Sequence, residues 1–117
     1  MFADRSGKLA KLDMRTGSTA VMILRLLADK PMYGYQMVKE LQVRSEGYFD
    51  LEQGTLYPAL HRLEKDGLVH SKWEVVTDGP SRKYYYITET GQETLENSAR
   101  QWSDFSRHLL KLLDWTV

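Results

Sequence analysis

Cysteine is absent from the 117-residue chain, so the protein can form neither disulfides nor thiol-based sites. Long apolar runs are also absent, because no stretch reaches the roughly 18 residues that a membrane span needs. The first residues lack a hydrophobic signal region. With 42% hydrophobic and 27% charged residues, the composition predicts one folded domain, which we expect in the cytoplasm with no membrane partner.

Residue patterns for metal, phosphate or nucleophilic chemistry are missing as well. The histidines His61, His70 and His108 fall on different predicted elements, and no paired His or Cys spacing suggests a metal site. No glycine-rich phosphate loop follows a predicted strand, and no serine lies in a nucleophile elbow. The sequence therefore predicts a protein with no cofactor, no metal and no catalytic residues, and not an enzyme.

An excess of positive charge is a further feature that the chain lacks. Lysine plus arginine and aspartate plus glutamate both number 16, and the isoelectric point is near 6.8. Because strong nucleic-acid binders are usually basic overall, any DNA binding must rest on a local patch. Arg82 and Lys83 have no acidic neighbour within residues 79–88, so we expect such a patch there, with modest affinity and steep salt dependence.

Residues 54–68 have the pattern of a helix with two different faces. Gly54 and Thr55 are acceptable N-cap residues, and Pro58 would then fall in the first turn, where its missing N–H costs little. Gly67 suits the left-handed residue that ends a helix. The apolar arc comprises Leu56, Ala59, Leu60 and Leu63. The opposite arc carries Tyr57, Pro58, His61 and Lys65, with Thr55 and Arg62 beside it.

The polar arc presents hydroxyls, an imidazole and cations, which a recognition helix in a DNA major groove needs. Periodicity alone also fits an ordinary surface helix, and the segment that follows favours the first interpretation. Residues 68–75 alternate as a strand, residues 78–81 are turn formers, and residues 82–87 form a second strand. With Gly79 near the centre of the turn, Trp73 should lie opposite Tyr85, and both should be core residues. Two helices followed by a hairpin with a basic tip are typical of a winged helix-turn-helix domain.

Three segments of the chain resemble the PadR family of bacterial transcription regulators, and the resemblance extends from about residue 16 to the C-terminus. They are Pro31-Met32-Tyr33-Gly34-Tyr35, the run Gly54-Thr55-Leu56-Tyr57-Pro58-Ala59-Leu60-His61-Arg62-Leu63-Glu64, and Arg82-Lys83-Tyr84-Tyr85 with Thr88 and Gly91. The resemblance implies a winged-helix dimer that represses transcription and is released by a small, often aromatic, ligand.

The first two helices of the predicted domain differ in character. The helix over residues 16–28 is apolar nearly all round, with Arg25 as its only charge, so we expect a partner subunit to cover its second face. The next helix should run from Tyr33 or Gly34 to residue 44 and cross the DNA backbone. Tyr35 and Lys39 are its candidate phosphate contacts, and packing of Tyr35 under the hairpin is an equally good alternative.

The C-terminal helix is predicted over residues 89–113, with Thr88 as its N-cap. At 1.5 Å per residue it would be roughly 36 Å long, longer than the domain that it leaves. Its apolar stripe comprises Leu95, Ala99, Trp102, Ser106, Leu109 and Leu113, widened by Phe105, Leu110 and Leu112. This stripe is most simply a dimerisation surface, and it could also line a pocket for an aromatic effector.

Together these patterns predict a mainly α protein with a small β-hairpin: a winged helix-turn-helix domain plus a long C-terminal dimerisation helix. The predicted units are residues 1–15, an N-terminal arm or short helix, residues 16–88, the DNA-binding domain, and residues 89–117, the dimerisation helix. The expected partners are double-stranded DNA, a second copy of the chain and a small aromatic effector. The alternative is a winged-helix module that binds other proteins.

Two sets of site residues follow from this interpretation. The predicted DNA contacts are Tyr35, Lys39, Thr55, Tyr57, Pro58, His61, Arg62, Lys65, Ser81, Arg82 and Lys83. The predicted effector site or dimer centre comprises Met22, Leu26, Trp102, Phe105 and Leu109. For Trp102, simple packing in the dimer interface is the alternative to a ligand role.

Overall fold

The computed structural model of the chain describes residues 14–75 and 77–115. In this part of the chain the order of elements is α1 (Met14–Asp29), β1 (Met32–Tyr33), α2 (Gly34–Arg44), α3 (Gln53–Lys65), β2 (Val69–Glu74), β3 (Arg82–Ile87) and α4 (Glu89–Leu112). This order confirms the mainly helical winged helix-turn-helix architecture with a long C-terminal helix. Residues 1–13 of the predicted N-terminal arm lie outside the described residues.

Helix α1 lies at the centre of the core, where α2, α3, α4 and β3 pack against it. Its side chains Ile23, Leu24, Leu26 and Leu27 are all buried within the single chain. The prediction that a partner subunit must cover this helix is therefore wrong for these four residues, because α2, α3, the first turns of α4 and β3 together enclose them. Val21 and Met22 remain half-buried at its margin.

The sheet has three antiparallel strands in the order β1-β3-β2. The sequence predicts only the two strands of the hairpin, β2 and β3. Strand β1 has only two residues, with Met32 opposite Tyr85 and Tyr33 opposite Tyr84. A strand of two residues has no alternation to detect in a sequence. Its pairing buries Met32 almost completely beneath the hairpin.

The hairpin register differs from the prediction by two residues. Ser71 lies opposite Tyr85, and Trp73 lies opposite Lys83. Asp78, not Gly79, stands midway between the paired ends of β2 and β3. Because a shift of two residues keeps every side chain on its face, Tyr85 is buried as predicted. The prediction that Trp73 is a core residue is wrong, because its side chain is 67% exposed. The Trp73–Lys83 pair lies close to the hairpin tip, beyond the edge of the core.

Helix α4 starts at a junction with the end of α3. The Thr88 hydroxyl oxygen accepts a hydrogen bond from the Gly91 N–H at 3.0 Å, which confirms Thr88 as the N-cap. Gly91 packs so closely on the Leu68 carbonyl that a β-carbon would collide with it. Beyond Leu95, most apolar side chains of α4 are exposed in the single chain. Among the described residues, no helix has both the length and the apolar character needed to cross a membrane.

Candidate nucleic-acid interface

The recognition helix α3 starts two residues earlier than predicted. Its N-cap is Glu52, which makes no side-chain capping bond, so the proposed cap residues Gly54 and Thr55 already lie in the first turn. Pro58 therefore lies inside the helix, in its second turn, and removes the hydrogen bond that the carbonyl of Gly54 would otherwise accept. Thr55 is thereby released from a capping role, and its exposed side chain is available for an external contact.

The C-terminal end of α3 is as predicted. Gly67 has a φ of +78°, in the left-handed region that glycine adopts without strain. The Gly67 N–H donates to the Glu64 carbonyl at 3.0 Å, and the Leu68 N–H donates to the Leu63 carbonyl at 2.9 Å. These two bonds form a Schellman motif, which ends the helix and turns the chain into β2.

The two faces of α3 are segregated as the periodicity predicts. Leu56, Leu60 and Leu63 are buried in the core. The outward side chains are Thr55, Tyr57, Pro58, His61, Arg62 and Lys65, and all of them are exposed. Five of these six, all except Thr55, line a shallow, open depression on the surface. The structure thus brings the residues predicted on α3 together on one exposed surface, which carries the cations Arg62 and Lys65.

Tyr57 has a second role that sequence reasoning missed. Its ring lies over Gly34, the first residue of α2, and a β-carbon on Gly34 would collide with the Tyr57 hydroxyl and ring. The side chain is still 40% exposed. Tyr57 therefore packs between the two helices of the helix-turn-helix while part of its ring faces outward. No local pattern reveals this contact, because the two residues lie far apart in the chain.

Tyr35 and Lys39 lie one turn apart on the exposed face of α2. Half of the Tyr35 surface is exposed, and the Lys39 ammonium lies 5.5 Å from the centre of its ring. This exposure argues against the alternative that Tyr35 packs under the hairpin. Both side chains are therefore available as phosphate contacts.

Arg82 and Lys83, the basic pair of the wing, lie on opposite faces of β3, because successive strand residues alternate. On the outer face, the Arg82 guanidinium stacks 4.4 Å from the centre of the Tyr33 ring. Lys83 lies on the inner face with the buried Tyr85. The Lys83 ammonium is 5.8 Å from the centre of the Tyr85 ring. Ser81, exposed, immediately precedes both. The predicted phosphate contacts are thus divided between the two sides of the wing.

The inner face of the wing is tied to the recognition helix. The Ser71 hydroxyl donates to a carboxylate oxygen of Glu64 at 2.8 Å. Burial raises the pKa of the Tyr85 hydroxyl, and the nearby Glu64 and Tyr57 raise it further. The inner face of the wing and α3 are therefore in direct contact.

The outer face of the wing carries a cluster that the sequence did not suggest. The His70 imidazole and Tyr86 ring are stacked with their centres 5.0 Å apart, and the Lys72 ammonium lies 4.9 Å from the Tyr86 ring. The Tyr86 hydroxyl donates to Glu74, and this bond raises the Tyr86 pKa. These partners hold the outer side chains against one another.

The predicted effector residues do not all lie at the surface. Leu26 belongs to the core, and Met22 is half-buried. Trp102 is half-buried and meets Phe105 edge to face, with ring centres 5.9 Å apart. Phe105 and Leu109 are 48% and 37% exposed. Trp102 and Phe105 therefore form an aromatic pair on the open side of α4.

The helix-turn-helix with its basic wing defines the class of the protein, a winged-helix regulator. A family model described as the transcriptional regulator PadR-like family matches residues 23–97. The chain belongs to this family of DNA-binding transcriptional regulators.

Individual relatives agree with this assignment. A transcriptional regulator of Mycobacterium tuberculosis is 35% identical over 98 residues, which cover 84% of this chain and 88% of that protein. A PadR family transcriptional regulator from Eggerthella lenta has a similar structure, with a TM-score of 0.75, 33% identity and coverage of 97% of this chain and 96% of the other. A transcriptional regulator from Clostridium thermocellum has a TM-score of 0.78 at 29% identity, covering 85% and 93%.

Proposed function

We propose that the chain acts as a homodimeric, sequence-specific repressor that binds an inverted repeat in cytoplasmic DNA and is released by a small aromatic effector. The observation that carries this proposal is the exposed cationic surface of α3, which the Ser71–Glu64 hydrogen bond joins to the face of the wing that carries Lys83. Its side chains offer the donors and apolar contacts with which a helix recognises base edges.

In the proposed complex, α3 lies in the major groove. His61 and Arg62 can donate to guanine, while Pro58 and the exposed part of the Tyr57 ring can contact a thymine methyl group. Tyr35, Lys39, Thr55 and Lys65 surround this centre and suit contacts to phosphate, as do Ser81, Arg82 and Lys83 on the wing. These contacts position the protein, and the contacts of α3 specify the sequence.

The second subunit is proposed from the surface of α4. Phe105, Leu109, Leu112 and Leu113 are exposed along one side of the helix, which is unfavourable in water. A second copy of the same helix supplies a matching surface with two-fold symmetry. The operator should then be an inverted repeat whose half-sites are about one helical turn, ~34 Å, apart.

The effector is proposed to bind beside Trp102 and Phe105 where the two subunits meet, with Met22 and Leu109 nearby and without Leu26, which is buried in the core of the single chain. An aromatic ligand that prefers a different spacing of the two recognition helices would shift the population away from the DNA-binding dimer. Titration with aromatic compounds, followed by tryptophan fluorescence and DNA affinity, tests this step. Binding that survives the Trp102→Ala change would contradict it, and this variant controls for the signals of Trp73 and Trp115.

The experiment that tests the function as a whole is selection of duplexes from a random-sequence pool, followed by footprinting and sedimentation. We expect two protected half-sites related by inversion and a stoichiometry of two chains per operator. If no duplex of any sequence is enriched or bound, the alternative module that binds other proteins gains support. The present observations favour DNA, because protein-binding surfaces are depleted of charge at their centre and this one is cationic.

A further inference from the structure

Trp73 is a large apolar side chain that the single chain leaves in solvent on the wing. Its exposure of 67% contrasts with the burial of Val69 and Tyr85 on the same face of the hairpin. We propose that Trp73 is a DNA-contacting residue, whose indole ring packs on the sugar-phosphate edge of the minor groove beside the half-site bound by α3. This inference rests on the proposed DNA binding and adds a contact that the basic residues do not supply.

The first observation that supports the proposal is the position of Trp73 on the wing. The inner face of β2 carries Val69 in the core, then Ser71 bonded to Glu64 of α3, then Trp73. Two strand residues advance the chain by about 6.6 Å, so Trp73 lies one step beyond the point where the wing is joined to the recognition helix. A duplex that lies against α3 and extends across the Ser71–Glu64 junction would meet Trp73 next.

The positive charge of Lys83 beside Trp73 is the second observation that supports the proposed DNA contact. Trp73 lies directly opposite Lys83 in the hairpin, so an indole and an ammonium share the inner face near the tip. The Lys83 ammonium lies 5.8 Å from the centre of the Tyr85 ring, whereas Arg82 and Lys72 on the outer face lie closer to tyrosine rings, at 4.4 Å and 4.9 Å. The inner face thus offers a cation beside an exposed aromatic ring, which is complementary to a phosphate beside a deoxyribose.

The chemistry of the indole ring is the third argument for the proposed DNA contact of Trp73. The ring presents a broad apolar surface and a single N–H donor, with no acceptor. Deoxyribose offers apolar C–H groups, and the adjacent phosphate offers only acceptors, so one Trp side chain matches both. Such a contact is insensitive to base identity and releases no counterion, which distinguishes it from the contact of a lysine.

Fluorine NMR of the unmodified chain, labelled with fluorotryptophan, tests the contact directly. The chain has three tryptophans, and a Trp73→Phe variant assigns the signal of residue 73. A neutral, soluble paramagnetic agent should broaden this signal in the free protein, and binding of a duplex selected from a random pool should remove most of the broadening. Trp115, which is 69% exposed just beyond the C-terminal end of α4, is the internal control and should stay equally broadened.

Affinity measurements give the second readout. Trp73→Ala should weaken binding of every duplex about tenfold at each salt concentration, without changing the slope of log affinity against log salt. Lys83→Ala should flatten that slope by about one unit. The matched control is His70→Ala, which removes an exposed aromatic side chain from the opposite face of the same strand and should leave affinity unchanged.

Three outcomes would overturn the proposal, and they can be told apart. Unchanged broadening of the Trp73 signal in a saturated DNA complex would show that the wing does not place it on DNA. A Trp73→Ala variant that changes sedimentation but not DNA affinity would assign the residue to an interface between copies of the chain. Failure of the unmodified chain to bind any duplex would remove the proposed function together with this inference.

Discussion

The Tyr57 ring lies directly over Gly34, so the recognition helix contacts the first residue of α2 at a point where only glycine leaves room. Gly34 is buried, and a β-carbon there would overlap the Tyr57 hydroxyl. The contact sets how closely the two helices of the helix-turn-helix approach. It also explains why a tyrosine on the outward side of α3 is only partly exposed.

We predict that Gly34→Ala lowers the free energy of unfolding by about 1–3 kcal/mol, because the added methyl group overpacks a closed contact. It should also weaken DNA binding, since Tyr57 and α3 must shift. Urea unfolding and band-shift titration measure the two effects. Gly54→Ala is the control for stability: a β-carbon there meets nothing within 4 Å, and alanine suits a helix better than glycine. Equal stability of the two variants would contradict the prediction.

A double-mutant cycle tests the same contact from the side of Tyr57. Removing the ring with Tyr57→Ala should relieve the clash caused by Gly34→Ala, so the two changes should not be additive. We expect an interaction free energy of about 0.5–3 kcal/mol, the range for residues in direct contact. Additive losses within the error of the unfolding measurements would show that the ring does not define this spacing.

The separation of Arg82 and Lys83 onto opposite faces predicts different roles for the two cations. Lys83→Ala should weaken all duplexes alike and flatten the salt slope by about one unit. Arg82→Ala should change the slope less and instead lower stability by about 0.5–1 kcal/mol, because its guanidinium stacks on Tyr33. Titrations at several salt concentrations, with urea unfolding in parallel, distinguish these effects. The same slope change in both variants would contradict the division.

Thr88 connects the end of α3 to the start of α4 through two hydrogen bonds. Its hydroxyl donates to the Gly67 carbonyl at 2.7 Å and accepts from the Gly91 N–H at 3.0 Å. Thr88→Ala should therefore cost about 1 kcal/mol of unfolding free energy, the usual loss at an N-cap. Thr88→Ser keeps both bonds and should retain most of the stability. If serine and alanine destabilise equally, the methyl group of Thr88, not its hydroxyl, carries the effect.

Leu109, 37% exposed on the stripe of α4, is the position at which the proposed dimer is most directly tested. Leu109→Glu should yield a monomer in analytical ultracentrifugation, because a carboxylate would be buried between two subunits without a partner. Lys111→Glu places the same group on the opposite side of the helix and should leave the dimer intact. A monomeric unmodified chain would remove the dimer from the proposal.

Asp29 at the end of α1 predicts a pH dependence of stability. Hydrogen bonds from Arg25 at 2.9 Å and from Arg44 at 2.7 Å hold the pKa of this carboxyl below its usual 3.8. A group with a depressed folded-state pKa stabilises the fold above its unfolded-state pKa, and this contribution is lost as the pH falls through the folded-state value. Asp29→Asn should therefore lower the urea midpoint near neutral pH and have no effect at a pH well below the folded-state pKa of Asp29. An equal effect at both pH values would contradict the assignment.

Local signals in the sequence determined the helices and most of their ends. Gly67 in a Schellman motif and Thr88 as an N-cap depend on hydrogen bonds within a few residues, so their residue types suffice to predict them. The buried face of α3 follows from the helical period alone. The start of α3 differs from the prediction because Glu52 caps it without a side-chain bond, so the residue type carries no signal for the cap.

The candidate site was predictable as a set of residues but not as a geometry. The exposed side chains of α3 follow from one helix, whereas the Gly34 contact of Tyr57 and the separation of Arg82 from Lys83 depend on how elements meet. The sequence predicts the alternation of side chains along β2 and β3. It does not show how far along the hairpin the core extends. For that reason the sequence predicts Trp73 in the core, whereas the structure shows its side chain in solvent.

Short-range hydrogen bonds and periodic burial are properties of neighbouring residues. For this protein the sequence alone determined both, and it also determined the resemblance to the family. Strand pairing, the closure of α4 over α1 and the contact between Tyr57 and Gly34 depend on free energy gained between distant segments. Many registers and docking angles satisfy the same local pattern. Only the tertiary structure selects among them, because only there does each choice determine which apolar surface is buried and which side chains remain for DNA.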